Sequence, residues 1–297
     1  MKPIFLLFLL STALQGGTIL LYGGLGGHSN GDSTNDGSLA FVDQTTGAVT
    51  VIGHPVGISR ISGLAFDLSG NLFAATQPSG GFPPPPGSVG ASSLLILNPA
   101  TGAIISNILI SDGSTGINIA DLAVQPGTGT LYGIRGPNDQ LNGQGKVYTI
   151  NKTTGLATLV GDTGDFFGSI SFAPDGTLYM SAGDLDFVTG NLINISLKTL
   201  NPKNAAILTT VATTDFFGAL GIRPSDGMIF GGTGDQHTLF TVDAATGAET
   251  LIGDTGRTFV GDLAFATVPE PATFWLGGMG IAALAALRFI RRSSRLC

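Results

Sequence analysis

Between residues 18 and 267 the apolar residues come in short runs broken by Gly, Asp, Asn and Thr. No stretch there carries the spacing of an amphipathic helix, whereas the short runs and the residues bounding them read as strands and turns. One unit is an apolar strand, a turn, and a second strand ending in a large apolar residue. It appears at Leu64-Ala65-Phe66 to Leu72-Phe73, Leu122-Ala123-Val124 to Leu131-Tyr132, Ile170-Ser171-Phe172 to Leu178-Tyr179, and Leu220-Gly221-Ile222 to Ile229-Phe230. The turns between them hold Ser69-Gly70, Gly127-Thr128-Gly129, Asp175-Gly176 and Asp226-Gly227, residues that tolerate positive φ in hairpins.

A second unit alternates with the first: strand, Asp or Asn, Thr-Gly, strand. Asp43 to Gly47, Asn98 to Gly102, Asn151 to Gly155 and Asp243 to Gly247 are its regular copies. Leu192 to Leu208 is a degenerate copy with Asn201-Pro202-Lys203-Asn204 at the turn. Two hairpins make a four-stranded antiparallel sheet, and the first unit advances 199 residues from Leu64 to Leu263 in four steps. A period near 50 residues with four strands predicts an all-β fold, a five-bladed β-propeller. Thr18 to Gly23 resembles Thr130 to Gly133, so the repeat opens on the second strand of a blade; Leu263-Ala264-Phe265 is an unpaired first strand. Pairing these two closes the ring and removes both open edges. A β-sandwich of the same strands is the competing architecture. Gln77 to Ser92, with Pro83 to Pro86, is a stiff insertion that cannot join a central strand.

The two ends differ from the repeat. Residues 1–17 open with Met1-Lys2 and the apolar run Ile4 to Leu10, and read as a secretory signal peptide cleaved after Ala13 or at Gly16 or Gly17. At the other end, Val268-Pro269-Glu270-Pro271 precedes an uncharged stretch from Ala272 to Leu287, then Arg288, Arg291, Arg292 and Arg295. Sixteen helical residues rise about 24 Å, and extension to Ile290 reaches a membrane thickness if Arg288 snorkels. The arginines act as a stop-transfer signal and stay cytoplasmic, leaving the propeller outside.

This end resembles the PEP-CTERM sorting signal in its Val-Pro-Glu-Pro motif, single membrane helix (272–290) and basic tail (291–297). The resemblance covers residues 268–297. It implies processing by an exosortase-type membrane protease, in a Gram-negative host that makes exopolysaccharide.

Charge narrows the partners. With Lys2 and the four tail arginines set aside, 8 of the 13 basic residues remain between 18 and 267, against 19 of the 20 acidic ones. Such a surface repels nucleic acid and anionic lipid. The single cysteine is Cys297, so the exported region has neither disulfide nor thiolate site.

Candidate chemistry is sparse. His28, His54 and His237 show no metal-ligand spacing, and no nucleophile elbow or phosphate loop is present. Asp32, Thr34, Asp36 and Asp43, with Gly37 between them, match a twelve-residue calcium loop at positions 1, 3, 5 and 12. The competing reading is a polar loop opening a strand. Asp121 and Asp262 hold equivalent positions on inner strands, where Gly63, Ser169 and Ala219 complete the ring. Two carboxylates at one mouth of a central channel are suited to a cation or a sugar hydroxyl, although strand-entry aspartates look the same. Asp162, Asp215 and Asp254 recur at blade connections and read as structural. The expected function is a non-catalytic binding or scaffold protein at the cell surface or in exopolysaccharide. The alternative is an extracellular hydrolase or lyase of sugars or lactones.

Overall fold

The computed structural model describes residues 18–26, 34–76, 90–136, 144–234, 236–256 and 259–268. The signal peptide, the calcium-loop residue Asp32, the prolines 83–86 and everything from Pro269 onward, including the predicted membrane helix, lie outside the described residues. Among the described residues no helix is long and apolar enough to cross a membrane.

Among the described residues, twenty strands build five sheets of four. The chain begins with β1 (Thr18–Leu25), β2 (Leu39–Val42) and β3 (Val49–Gly53). Four complete blades follow. The second is β4 (Ile61–Phe66), β5 (Leu72–Thr76), β6 (Ser93–Leu97) and β7 (Ile104–Leu109). The third is β8 (Ile119–Val124), β9 (Leu131–Arg135), β10 (Lys146–Ile150) and β11 (Ala157–Asp162). The fourth is β12 (Phe167–Phe172), β13 (Leu178–Leu185), β14 (Leu192–Leu200) and β15 (Ile207–Ala212). The fifth is β16 (Ala219–Ile222), β17 (Ile229–Thr233), β18 (Thr238–Val242) and β19 (Glu249–Asp254). The last strand, β20 (Val260–Val268), returns to pair with β1 and completes the first blade in the order β20-β1-β2-β3. The ring is thus closed by its two terminal strands, as the half-repeats predict.

Five apolar clusters, one per blade junction, hold the ring together. Tyr22, Leu39 and Ala264 meet Ile61, Leu64 and Leu95 between the first and second blades. Phe73 and Leu94 meet Leu122 and Tyr148 at the next junction. Ile134 and Val147 meet Ile170 and Met180 between the third and fourth blades. Leu197 meets Phe217 and Ile229, and Phe230 and Leu239 meet Leu21 and Leu263 to finish the circle. Both faces of each sheet are therefore apolar, and burial drives the blades face to face.

The predicted turns form. Asp43 Oδ1 accepts from Thr45 N–H at 2.8 Å and Thr46 N–H at 2.9 Å, and Asp243 Oδ1 accepts from Ala245 and Thr246 N–H, each at 2.9 Å. These bonds hold the Asp43 carboxyl down at about 2, the Thr45 hydroxyl being the largest cause. Asn201 makes the same turn in the degenerate copy, accepting from Lys203 N–H at 2.9 Å. There Ala205 takes the left-handed position with φ 57°, where the regular copies place glycine. Hairpins alternate between faces. One face carries these tight turns; the other carries the longer connections.

Candidate functional site

The inner strands β20, β4, β8, β12 and β16 surround the axis. At one level they place Asp262, Gly63, Asp121, Ser169 and Ala219 side by side. Asp121 and Asp262 are both 0% exposed, so they lie inside the channel and not at a mouth open to solvent. That corrects the expected position. Gly63 is what lets them meet, because a Cβ there would sit 2.8 Å from Leu122 N and 3.0 Å from Asp121 Cα.

Each carboxylate is held by backbone amides from more than one blade. Asp121 accepts from Leu122 N–H on its own strand and from Ile170 N–H on β12, both at 2.6 Å. Asp262 accepts from Leu263 N–H at 2.6 Å and from Leu64 N–H on β4. The Leu220 amide on β16 also faces Asp262 and pulls against the rise in its pKa. All five inner strands thus point the amide that follows the shared level at two carboxyl groups. Burial pushes the Asp121 carboxyl well above the usual carboxylate range, and the neighbouring Asp262 adds to it. Burial likewise raises Asp262, to about 7, against the pull of its amide donors. Hydroxyls brace the same level: Ser169 Oγ donates to Phe217 O at 2.6 Å, and Ser62 Oγ donates to Ile119 O at 3.0 Å.

On the tight-turn side of this level the channel opens into a funnel of about 310 Å³. Leu64, Leu122 and Leu263 line its depth, Phe66, Phe172 and Phe265 line its walls, and among the described residues Ser171 is the only polar side chain on it. An apolar funnel above closed carboxyls offers space but no free carboxylate.

The other sequence candidates are scattered. Thr34 and Asp36 precede β2 and Asp43 follows it, so four residues of extended chain separate them by roughly 13 Å. The described part of the calcium loop therefore does not curl around one point. Gly37 does adopt φ 76°. Asp162 Oδ1 accepts from Gly164 N–H at 2.9 Å, and Asp254 Oδ1 from Gly256 N–H at 2.6 Å, which are turn-forming roles. His54 Nδ1 lies 3.2 Å from Ser38 Oγ, and His28 is outside the described residues. Among the described residues no three His, Cys, Asp or Glu are grouped to hold a metal ion.

Two features escaped the sequence. The converging amides belong to apolar residues, and only the register Leu64, Leu122, Ile170, Leu220, Leu263 hints at them. A buried ion pair joins Lys198 to Asp165, with side chains 11% and 7% exposed, and nothing local announces it.

Fold and axis define this chain as a five-bladed β-propeller of four-stranded antiparallel blades. At its C-terminal end the chain carries the PEP-CTERM protein-sorting motif, matched over residues 267–292. That motif implies an exported protein processed at a membrane by an exosortase, in Gram-negative bacteria. No curated protein matches the chain. A chain in the crystal structure of a nidogen/laminin complex is similar in fold, with 13% identity and a TM-score of 0.52. The match covers 86% of this chain and all of that one. A protein of unknown function from Bacteroides caccae is also similar, with 13% identity, a TM-score of 0.47, and coverage of 85% of this chain and all of its own. At such identity the first of these speaks for the fold alone.

Proposed function

We propose that the protein is a non-catalytic binding and scaffold module, displayed at the cell surface or held in exopolysaccharide after its tail is processed. One observation carries the reading. The axis is where inner strands of all blades converge, and its two carboxylates there spend all four oxygens on backbone amides. Acids engaged in that way act as structure, and recognition then falls to the funnel and to the face bearing the longer connections, where loops usually carry it. The acidic balance favours a neutral glycan over a polyanion.

The test is a glycan array probed with the purified chain, together with a turnover screen on glycosides and lactones. Saturable retention on a glycan without turnover is the expected result. Turnover that disappears on mutating a funnel or rim residue would replace binding by catalysis as the function.

A further inference from the structure

We propose that the funnel face docks on the outward leaflet of the membrane that anchors the unprocessed chain, with the funnel taking the alkyl tail of a neutral lipid. The mouth of the funnel is framed by four hairpin turns, and each puts an apolar residue at the same position: Leu68, Pro126, Pro174 and Pro224. Leu68 is 67% exposed, Pro174 and Pro224 are exposed, and Pro126 is half-buried. Below this lip stand Phe66, Phe172 and Phe265, so apolar surface leads from solvent down to Leu64, Leu122 and Leu263. A volume of about 310 Å³ is at the lower end of the range for ligand sites, which add a few polar groups to an apolar lining to orient their ligands. Among the described residues Ser171 is the only polar side chain here for that task. Such a lining suits a ligand that needs no orienting hydrogen bonds, and an alkyl chain is one.

The path of the chain brings lipid to this mouth. In the first blade β20 and β1 are not consecutive in sequence, so no hairpin turn closes that part of the ring. β20 takes the place: Phe265 matches Phe66, Phe172 and Ile222, and Thr267 matches the lip position. The strand ends at Val268, and the membrane helix predicted from the sequence starts at Ala272. Four residue steps span at most about 14 Å when fully extended. The lip is therefore tethered close to the bilayer surface. A short tether sets an effective concentration of about millimolar, which populates a contact too weak to form from free solution. Cutting at Val268–Pro271 removes the tether, so docking ends with processing.

Charge permits the approach. The four turns carry Asp67, Asp175, Arg223 and Asp226. Lys152 Nζ lies 3.3 Å from Asp67 Oδ2, and Arg223 Nη2 lies 2.6 Å from Asp226 Oδ2. Among the described residues Asp175 is left as the acid there without a cation. The lip is thus near neutral although residues 18–267 hold 19 acidic and 8 basic side chains, and it suits zwitterionic lipid. The docking rests on 272–290 being a membrane helix, and it is independent of glycan binding at the face of the longer connections.

The experiment uses the full chain with Cys297→Ser and a single fluorescent label, attached through Leu68→Cys at the lip or Val188→Cys as reference. The chain is reconstituted in phosphatidylcholine vesicles with or without lipid spin-labelled on its acyl chain, a quencher of short range. Both positions are exposed, Val188 at 93%, so neither change touches the core. Val188 follows β13, at the far end of a strand more than about 20 Å long. The expected result is lipid quenching several-fold stronger at position 68 than at position 188. Adding Pro174→Asp and Pro224→Asp to the lip should remove that excess; an undiminished excess reflects the tether alone and overturns the docking. Equal quenching at the two positions also overturns it while leaving the helix standing. Protection of position 68 from aqueous iodide without lipid quenching overturns it too, because a second copy or residues 269–297 would then cover the funnel. A chain that does not float with the vesicles refutes the membrane helix and the docking with it.

Discussion

Leu21→Ala tests the closure most directly. Leu21 lies on β1, is 2% exposed, and packs with Ala219, Phe230 and Leu239 of the fifth blade and with Val260 and Leu263 of the returning strand. Truncation removes a buried isobutyl group where three strands from both ends of the chain meet, so neighbouring backbone has little freedom to fill the gap. Leucine-to-alanine changes at such sites cost about 2–5 kcal/mol. In a domain of this size each kcal/mol lowers the melting temperature by about 2–4 °C, so a drop on the order of 10 °C is expected. Leu251→Ala is the matched control, because Leu251 is 58% exposed on an outer strand and should change stability by less than about 0.5 kcal/mol. Differential scanning calorimetry on the two variants and the wild type reads both effects. If the two variants melt together, β1 does not carry the closing interface and the ring is held elsewhere.

Three further outcomes are expected. Gly247→Ala should lose at least about 2 kcal/mol by denaturant unfolding, because a Cβ there would lie 2.1 Å from Ala212 O and the residue has φ 72°. Lys198→Ala should cost about 3–5 kcal/mol by leaving Asp165 buried without its cation, and Lys198→Met with Asp165→Leu should regain most of the loss in the same assay. Replacing Pro269, Glu270 and Pro271 with alanines should leave an uncleaved, membrane-retained chain in a fractionation blot; release at the wild-type size would refute the motif as the processing signal.

Much of the fold was legible because its determinants are local. An Asp or Asn that accepts from amides two and three residues ahead can be read from Asp43 or Asn151 without knowing any other blade. The half-repeats at Thr18 and Leu263 were legible for the same reason, each matching a complete copy. The site was only half legible. Register placed Asp121 and Asp262 at one level, but whether that level faced water depended on how closely β4 approaches β8, which Gly63 decides in three dimensions. The calcium spacing misled in the opposite way. Linear intervals from Thr34 to Asp43 suit a curled loop, yet Leu39 to Val42 are needed as an extended strand beside β1 and β3. A strand cannot both rise about 3.3 Å per residue and wrap an ion.

The absence of cysteine from the propeller gives the axial pair a particular weight. A ring whose first and last strands are more than 200 residues apart must be closed without a covalent link, the one cysteine being Cys297. Bringing those ends together carries the entropy of a long loop, which the pairing of β1 with β20 has to offset. Until β20 arrives, the Leu64 amide lacks the carboxylate that accepts from it in the finished ring, and the Leu220 amide lacks the one it faces. A buried donor left without a partner costs about 1–3 kcal/mol, so a compact but unclosed ring is penalised at its centre as well as at its seam. Asp262 therefore makes closure cooperative with packing of the second and fifth blades. A ring that slips by one strand would place a different residue at that level, leaving the amides unmet. On this argument Asp262→Ala should impair refolding more than it reduces core burial, and refolding yields compared with those of Leu251→Ala would show it. Equal yields would mean that the five apolar junctions alone specify the closed ring.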